Sequence, residues 1–316
     1  MPHIILLTSC SQQKLPTGTE IAAIRNIGGD GLCDRMESWQ GVTSKMEWIH
    51  PVSTLYRGQY WTVIRDLQKT LNTKLLSQRL LVASAGFGLL DQDDLLPNYA
   101  ATFQSGGEDS VFPETEDARY RRQWIRNWWD GINSAFAGRK RYSALQQALG
   151  PEPTIVLVLL STFYLEALHR EIRALQQQRA NIQFLIYASS KDPARTGLDG
   201  SIILNSSLQK QLGGNRGSLA ARMALAYFRS KRSMETISAG DCRQFLKRFQ
   251  KHEEVMVWPS RQAIDDEHVR GFIKKSIASG AKAYTPVLRQ LRDSGYACEM
   301  KRFKALFNQE AIHGKI

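Results

Sequence analysis

Three carboxylates, Asp91, Asp93 and Asp94, stand within four residues between the leucine pairs Leu89/Leu90 and Leu95/Leu96. Just before them runs Ser84-Ala85-Gly86-Phe87-Gly88, small residues of the kind that let a ligand approach the backbone. Carboxylates so grouped can move protons or stabilise a positive charge, and acids after a small-residue strand end suit a reactive site better than a plain loop. The same pattern also fits a strand, a turn and a helix whose first-turn acids complement the helix dipole.

A second group lies near the start of the chain, Ser9-Cys10-Ser11-Gln12-Gln13-Lys14. Small hydroxyl residues and a lysine at a strand end can present donors to an anion or a nucleobase. The spacing is no Walker loop, because GxxxxGK[ST] is absent. Cys10 could act as a nucleophile, and equally could be a small buried residue. Tyr56 and Arg57 stand together before Gly58, and Gly213-Gly214-Asn215-Arg216-Gly217-Ser218 opens a helix. There Ser218 is a credible cap and Arg216 suits a phosphate, although a plain interdomain turn fits as well. His169-Arg170-Glu171 imitates the HxE of a zinc deaminase, but the PCxxC partner is missing and that chemistry is rejected.

These groups need elements to hold them. Apolar, β-branched runs predict strands over residues 3–8, 80–83, 154–160 and 182–187. Helical spacing predicts helices over 52–71, 119–136, after Ser161-Thr162, and from Ser218 to Phe228. In the second of these, Trp124, Trp128 and Trp129 interleave with arginines, which fits either a stacking platform for nucleic acid or a core stripe. Residues 16–50 resist assignment. Strands alternating with helices predict an α/β domain with a central mixed or parallel sheet flanked by helices, polar strand ends converging on one crevice.

The bulk properties narrow the classes. A hydrophobic content of 42% over 316 residues supports a real core. No run reaches the roughly 18 apolar residues of a membrane span, so no membrane partner is expected. The first ten residues lack a basic n-region and a full secretory apolar run. Four scattered cysteines form neither a disulfide framework nor a zinc site. A cytoplasmic location, no metal and no cofactor are therefore expected.

The net charge of +12 is unevenly placed: residues 213–316 carry 20 Lys+Arg against 10 Asp+Glu, whereas 1–212 carry 22 against 20. That predicts three parts: an α/β catalytic domain at 1–212, a helical connector at 213–254, and a basic module at 255–316. In the last, helices are expected over 269–277, from a Thr285 cap to Gly295, and over 299–309. Phe303, Leu306 and Phe307 form its buried stripe, with Lys301, Lys304 and Asn308 opposite. With Lys274, Lys275, Arg289, Arg292 and Arg302, this is a helix-turn-helix-like pattern suited to DNA.

Ser9-Cys10-Ser11-x-x-Lys14, Leu55-Tyr56-x-Gly58, and Ser84-Ala85-x-x-Gly88-Leu89-Leu90 followed by acids and Tyr99 together resemble the superfamily of peroxide-stress (YaaA-like) proteins and the C-terminal part of archaeosine synthase. The resemblance covers roughly residues 3–100. Its relatives include a phage-defence DNA glycosylase that excises α-glucosylated hydroxymethylcytosine. The resemblance implies a metal-independent glycosylase that removes a modified base from double-stranded phage DNA as antiviral defence and leaves an abasic site. It makes Asp94 the leading catalytic carboxylate, with Asp91 or Asp93 supporting, and Lys14 is a further expected catalytic residue that would hold base or phosphate. Ser9, Cys10, Ser11, Tyr56, Arg57, Ser84, Gly86, Gly88, Arg216 and Ser218 would contact substrate. The alternatives are a transglycosylase or lyase acting on a deazaguanine, and a non-enzymatic DNA-binding stress protein.

Overall fold

The computed structural model describes residues 3–15, 20–74, 76–104, 107–113, 117–189, 196–205, 207–231, 237–250, 261–281 and 283–313. The chain divides into two compact units, Met1–Glu254 and Val255–Ile316.

The first unit is an α/β layer structure around a six-stranded sheet. Its strands are β1 (His3–Ser9), β2 (Gln78–Ser84), β3 (Gly88–Asp91), β4 (Thr154–Leu159), β5 (Ile182–Ser189) and β6 (Ser201–Leu204). In space they run β6-β5-β4-β1-β2-β3. All neighbours pair in parallel except β2 and β3. β1 and β4 carry unbroken apolar runs, residues 4–7 and 155–159, because helices cover both faces of the sheet and their side chains find apolar partners on either side. From β1 the chain moves one way to β2; from β4 it moves the other way to β5. The β1/β4 gap is thus a topological switch point, where α/β sheets place ligands beyond the strands' carboxyl ends.

The main helices of this unit are α1 (Leu32–Thr43), α2 (Gln59–Thr73), α3 (Arg121–Ala135), α4 (Thr162–Gln178), α5 (Leu219–Ser230) and α6 (Ala239–Gln250). The helix expected over 52–71 is two pieces. A single turn, Val52–Leu55, ends where Tyr56 pairs its backbone with Lys14, and α2 starts only after Gly58 at φ +95°. That left-handed φ favours glycine. Within residues 16–50, α1 is a helix that the sequence pattern does not reveal. Trp124, Trp128 and Trp129 are core residues: Trp128 Nε1 donates to the Ala85 carbonyl at 2.7 Å and Trp124 Nε1 to that of Val111 at 3.2 Å. They form no stacking platform. Residues 213–254 are more than a connector, since Leu219, Met223, Phe228, Cys242 and Leu246 belong to the first unit's core.

The second unit holds α7 (Asp266–Ala278), α8 (Tyr284–Asp293) and α9 (Met300–His313), with a two-stranded pairing of Gln262–Ala263 and Tyr296–Ala297. Val269, Ile273, Leu291, Phe303, Leu306 and Phe307 make its core. Asp265 caps α7 by accepting from His268 N at 2.9 Å. Thr285 does not cap α8: the helix begins one residue earlier, at Tyr284, and Ala283 offers no capping side chain.

Candidate functional site

A cleft of about 850 Å³ opens at the carboxyl edge of the sheet, over the β1/β4 switch point. Its floor comes from Ser9 at the end of β1, Cys10 and Ser11 just after it, and Leu160 to Tyr164 after β4. Tyr187 and Ala188 of β5 extend one side, while Arg57–Tyr60 and Asn215–Gly217 form a rim. The cleft lies in the size range of small-molecule and cofactor pockets. Among the described residues, no aspartate or glutamate lines it, and its charged members are Arg57 and Arg216.

Hydrogen bonds fix the floor. The backbone N–H of Ser161 donates to Ser9 Oγ at 3.1 Å, tying together the loops on either side of the switch point. Cys10 N donates to Ala83 O at 2.9 Å, and Cys10 Sγ meets the Tyr164 hydroxyl at 3.0 Å. Burial, and then the neighbouring Cys10, push the Tyr164 phenol well above its ordinary range, so it stays a neutral donor or acceptor. Tyr60 donates to Leu159 O at 2.6 Å and so accepts from Thr8 Oγ1; burial pushes it up to about 12. Ser11 Oγ donates to Gln13 O at 2.7 Å and to Arg57 O at 3.1 Å, which shapes the loop.

Several expected contact residues support the cleft from behind. The Tyr56, Tyr99 and Ser84 hydroxyls form a buried chain, Tyr56 to Tyr99 at 2.7 Å and Tyr99 to Ser84 at 2.8 Å. Gly86 N donates to Ser84 Oγ at 3.2 Å, and Trp39 Nε1 donates to Gly86 O at 2.7 Å. A Cβ on Gly86 would stand 3.0 Å from the Tyr99 ring and 3.1 Å from Trp39, and Gly88 adopts φ +72°. Both glycines serve packing and turning. None of Tyr56, Ser84, Gly86 and Gly88 lines the cleft.

Lys14 is not a lining residue either. Its Nζ donates to Ser11 O at 3.1 Å and sits 4.1 Å from the Tyr99 ring centre. Burial lowers its pKa, and nearby Cys10 and Asp109 partly oppose that.

The acids sit away from the cleft, for a topological reason. β3 turns back antiparallel to β2, with Ser84 opposite Gly88 and Leu81 opposite Asp91. Each step from Gly88 towards Asp91 therefore leads away from the carboxyl edge. Asp91 is fully buried, with Arg79 Nε 3.0 Å from its Oδ2. Asp94 accepts from the backbone N–H groups of Asp91 at 2.8 Å and Arg141 at 2.9 Å, which holds the turn. Burial raises the Asp94 pKa, partly offset by those two bonds. Asp93 is exposed.

Of the expected site residues, the fold brings Ser9, Cys10, Ser11, Arg57 and Arg216 into one cleft. Ser218 is buried just behind them: its N–H donates to Asn215 Oδ1 at 2.9 Å, and its hydroxyl donates to Asn215 O at 2.9 Å. Gln59, Tyr60, Thr162, Tyr187 and Asn215 also line the cleft, beyond the residues that local sequence signals mark. Ser161-Thr162 follows the clearest strand of the chain, and that strand end was the available signal. Ser190 and Lys191, next after β5, lie outside the described residues.

In the second unit most of the expected DNA-contacting cations have internal partners. Arg302 stands 2.6 Å from Asp266, Lys274 3.6 Å from Glu310 and Arg289 3.9 Å from Asp293; Arg292 donates to Cys298 O at 2.9 Å. Lys275 is exposed, and Lys304 lies 5.7 Å from the Tyr284 ring centre. The Lys301 side chain is outside the described residues.

Among the described residues no group of three His, Cys, Asp or Glu could hold a metal ion, and no helix is long and apolar enough to cross a membrane. Comparisons with protein-family models, curated proteins and solved structures return no match for this chain.

Proposed function

We propose that the chain is a DNA glycosylase that draws a modified base, of the glucosylated hydroxymethylcytosine type, into the switch-point cleft and releases it. The observation that carries the proposal is the composition of the cleft: donor-rich and cationic, without a lining carboxylate among the described residues, and large enough for a nucleotide with a bulky base.

Cleaving an N-glycosidic bond leaves negative charge on the departing base and positive charge on the sugar. Donors aimed at the base lower the barrier, because they are already oriented when the charge develops. The Ser9 and Thr162 hydroxyls and the first-turn N–H groups of α4 are such donors, while the Ser11 hydroxyl, spent on Gln13 O and Arg57 O, shapes the loop that holds them. α4 has 17 residues and no side-chain cap at Ser161, so its positive end is free to face a ligand. Water adds to the cationic sugar carbon and releases a proton, and the departing base takes one up, so an abasic sugar and a neutral base result. Tyr164, kept neutral by burial, and the Cys10 thiol can hydrogen-bond along that route. Asp94 and Asp91 keep the β2–β3 hairpin in shape and take no part in bond cleavage.

Extruding a base from a duplex costs a few kcal/mol. The second unit, whose three helices include exposed Lys275 and Lys304, would grip phosphates in a helix-turn-helix-like manner and offset part of that cost. The test is a count of abasic sites, with an aldehyde-reactive probe, in DNA carrying α-glucosylated hydroxymethylcytosine and in the same DNA unmodified. Abasic sites should accumulate in the first and not in the second. None in either would refute the proposal.

A further inference from the structure

Arg57 and Arg216 reach the rim from elements far apart in sequence, and both elements are pinned. Asn215 N donates to Gln59 Oε1 at 3.1 Å, fastening the segment before α5 to the first residue of α2. Arg57 is held by its own backbone, donating from N to Gln13 O at 2.8 Å and accepting from Ser11 Oγ at 3.1 Å. Among the described residues neither guanidinium forms an ion pair, and no carboxylate lines the cleft they share. Arg57 also lies near Arg65, whose pKa is lowered by burial first and by the Arg57 charge second.

The rim offers more than two charges. α2 is 15 residues long, and its cap position is Gly58, which has no side chain to satisfy the first turn. The one polar side chain at its start, Gln59, is engaged by Asn215. The uncapped start of α2, with the positive end of its dipole, therefore lines the same cleft as the two arginines. Two unpaired arginines and a free helix start lining one concave site suit a phosphate anion better than a neutral sugar or base. Serine and threonine hydroxyls on the floor leave room for the uncharged remainder.

We infer that the cleft seats a phosphate of its substrate between Arg57, Arg216 and the first turn of α2, so that it recognises a nucleotide and not a nucleoside or free base. The inference rests on the base-excision proposal only for which base the nucleotide carries. The seated phosphate would also place negative charge near the sugar that becomes cationic, a task no lining carboxylate performs.

The phosphate could belong to a free nucleotide or to a strand, and titration calorimetry on the full chain separates them. The ligands are deoxycytidine, dCMP and a trinucleotide with cytosine in the middle. dCMP or the trinucleotide should bind about ten-fold or more tighter than deoxycytidine, the scale of a charge-assisted phosphate contact. A tighter trinucleotide assigns the phosphate to a strand; a tighter dCMP assigns it to a free nucleotide. Arg57→Ala and Arg216→Ala should each erase most of that preference, and Arg216→Lys should restore part of it. Equal binding of all three ligands, or no binding of any, would overturn the inference, as would arginine variants that keep the preference. Release of modified base from DNA, measured alongside, is independent: if it persists while the phosphate preference is absent, only the phosphate seat fails.

Discussion

The Ser161 backbone N–H donates to the hydroxyl of Ser9, 3.1 Å away and 152 residues earlier in the chain. β1 and β4 pair in parallel as far as Thr8 and Leu159, and this bond carries the contact two residues further, beyond the carboxyl edge of the sheet. It joins the end of β1 to the start of α4 in one floor for the cleft.

Ser9→Ala removes that acceptor and leaves the Ser161 N–H without its partner. Ser161 is exposed at the cleft, where water can take over its N–H, so the lost bond costs about 0.5–1.5 kcal/mol, and thermal unfolding should shift down slightly. Base release should fall further than stability explains, because the Ser9 hydroxyl is lost as a donor and the start of α4, with Thr162, loses its tie to β1. Differential scanning calorimetry with single-turnover base release on the same preparation checks both.

Gly86→Ala probes the support behind the cleft. The added Cβ meets the Tyr99 and Trp39 rings at 3.0 and 3.1 Å, and both rings are held by hydrogen bonds and cannot give freely. Over-packing of this kind costs about 1–3 kcal/mol. Urea denaturation should show a lower midpoint with an unchanged slope.

Asp94→Asn separates a structural carboxylate from a catalytic one. The amide keeps one acceptor oxygen where the carboxylate used two, so one of the bonds from Asp91 N and Arg141 N is lost. Stability should fall, while base release per folded molecule stays within a few-fold of wild type. A drop of orders of magnitude at unchanged melting temperature would return Asp94 to the chemistry.

A pH dependence of stability follows from a pair outside the cleft. Burial raises Glu171 to about 7, although it accepts from the Leu145 and Gln146 N–H groups. Burial lowers Lys140 to about 7, where its Nζ donates to Phe87 O and Asn133 Oδ1, both at 2.8 Å. Between its unfolded value of 4.5 and about 7, Glu171 holds more proton folded than unfolded, so its contribution is present at low pH and is lost as pH rises to 7. Lys140 works in the opposite sense: from about 7 to 10.5 the unfolded chain holds the extra proton, so stability rises with pH. The melting temperature of wild type relative to Glu171→Gln should therefore fall from pH 5 to pH 7. A flat difference would show that the carboxyl is not perturbed by burial.

Much of the sheet was legible because parallel strands covered on both faces need unbroken apolar runs, as residues 4–7 and 155–159 show. β3 was not, since Gly88–Asp91 opens with glycine and closes with a carboxylate, and only its pairing with β2 makes it a strand. The same turn explains the acids. Their position just after a strand end says nothing about which way the chain then runs, and it runs away from the cleft. α1 stayed hidden because only Trp39 and Thr43 of its 12 residues are buried, which gives no stripe to read.

The site was half legible for similar reasons. Ser9, Cys10 and Ser11 announce themselves as small polar residues directly after a buried strand. The Gln59–Asn215 contact spans 156 residues, and no local pattern carries it. Arg57 and Arg216 were each readable alone as cations beside glycine, but their meeting in one rim depends on that contact.

The most direct measurement of the central claim is mass-spectrometric detection of free base after mixing the full chain with DNA containing α-glucosylated hydroxymethylcytosine. Wild type should release the glucosylated base and nothing from unmodified DNA. Thr162→Trp, which fills the cleft from an exposed position at the start of α4, should fold normally and release none. No released base with wild type, or undiminished release with Thr162→Trp, would contradict base excision in the switch-point cleft.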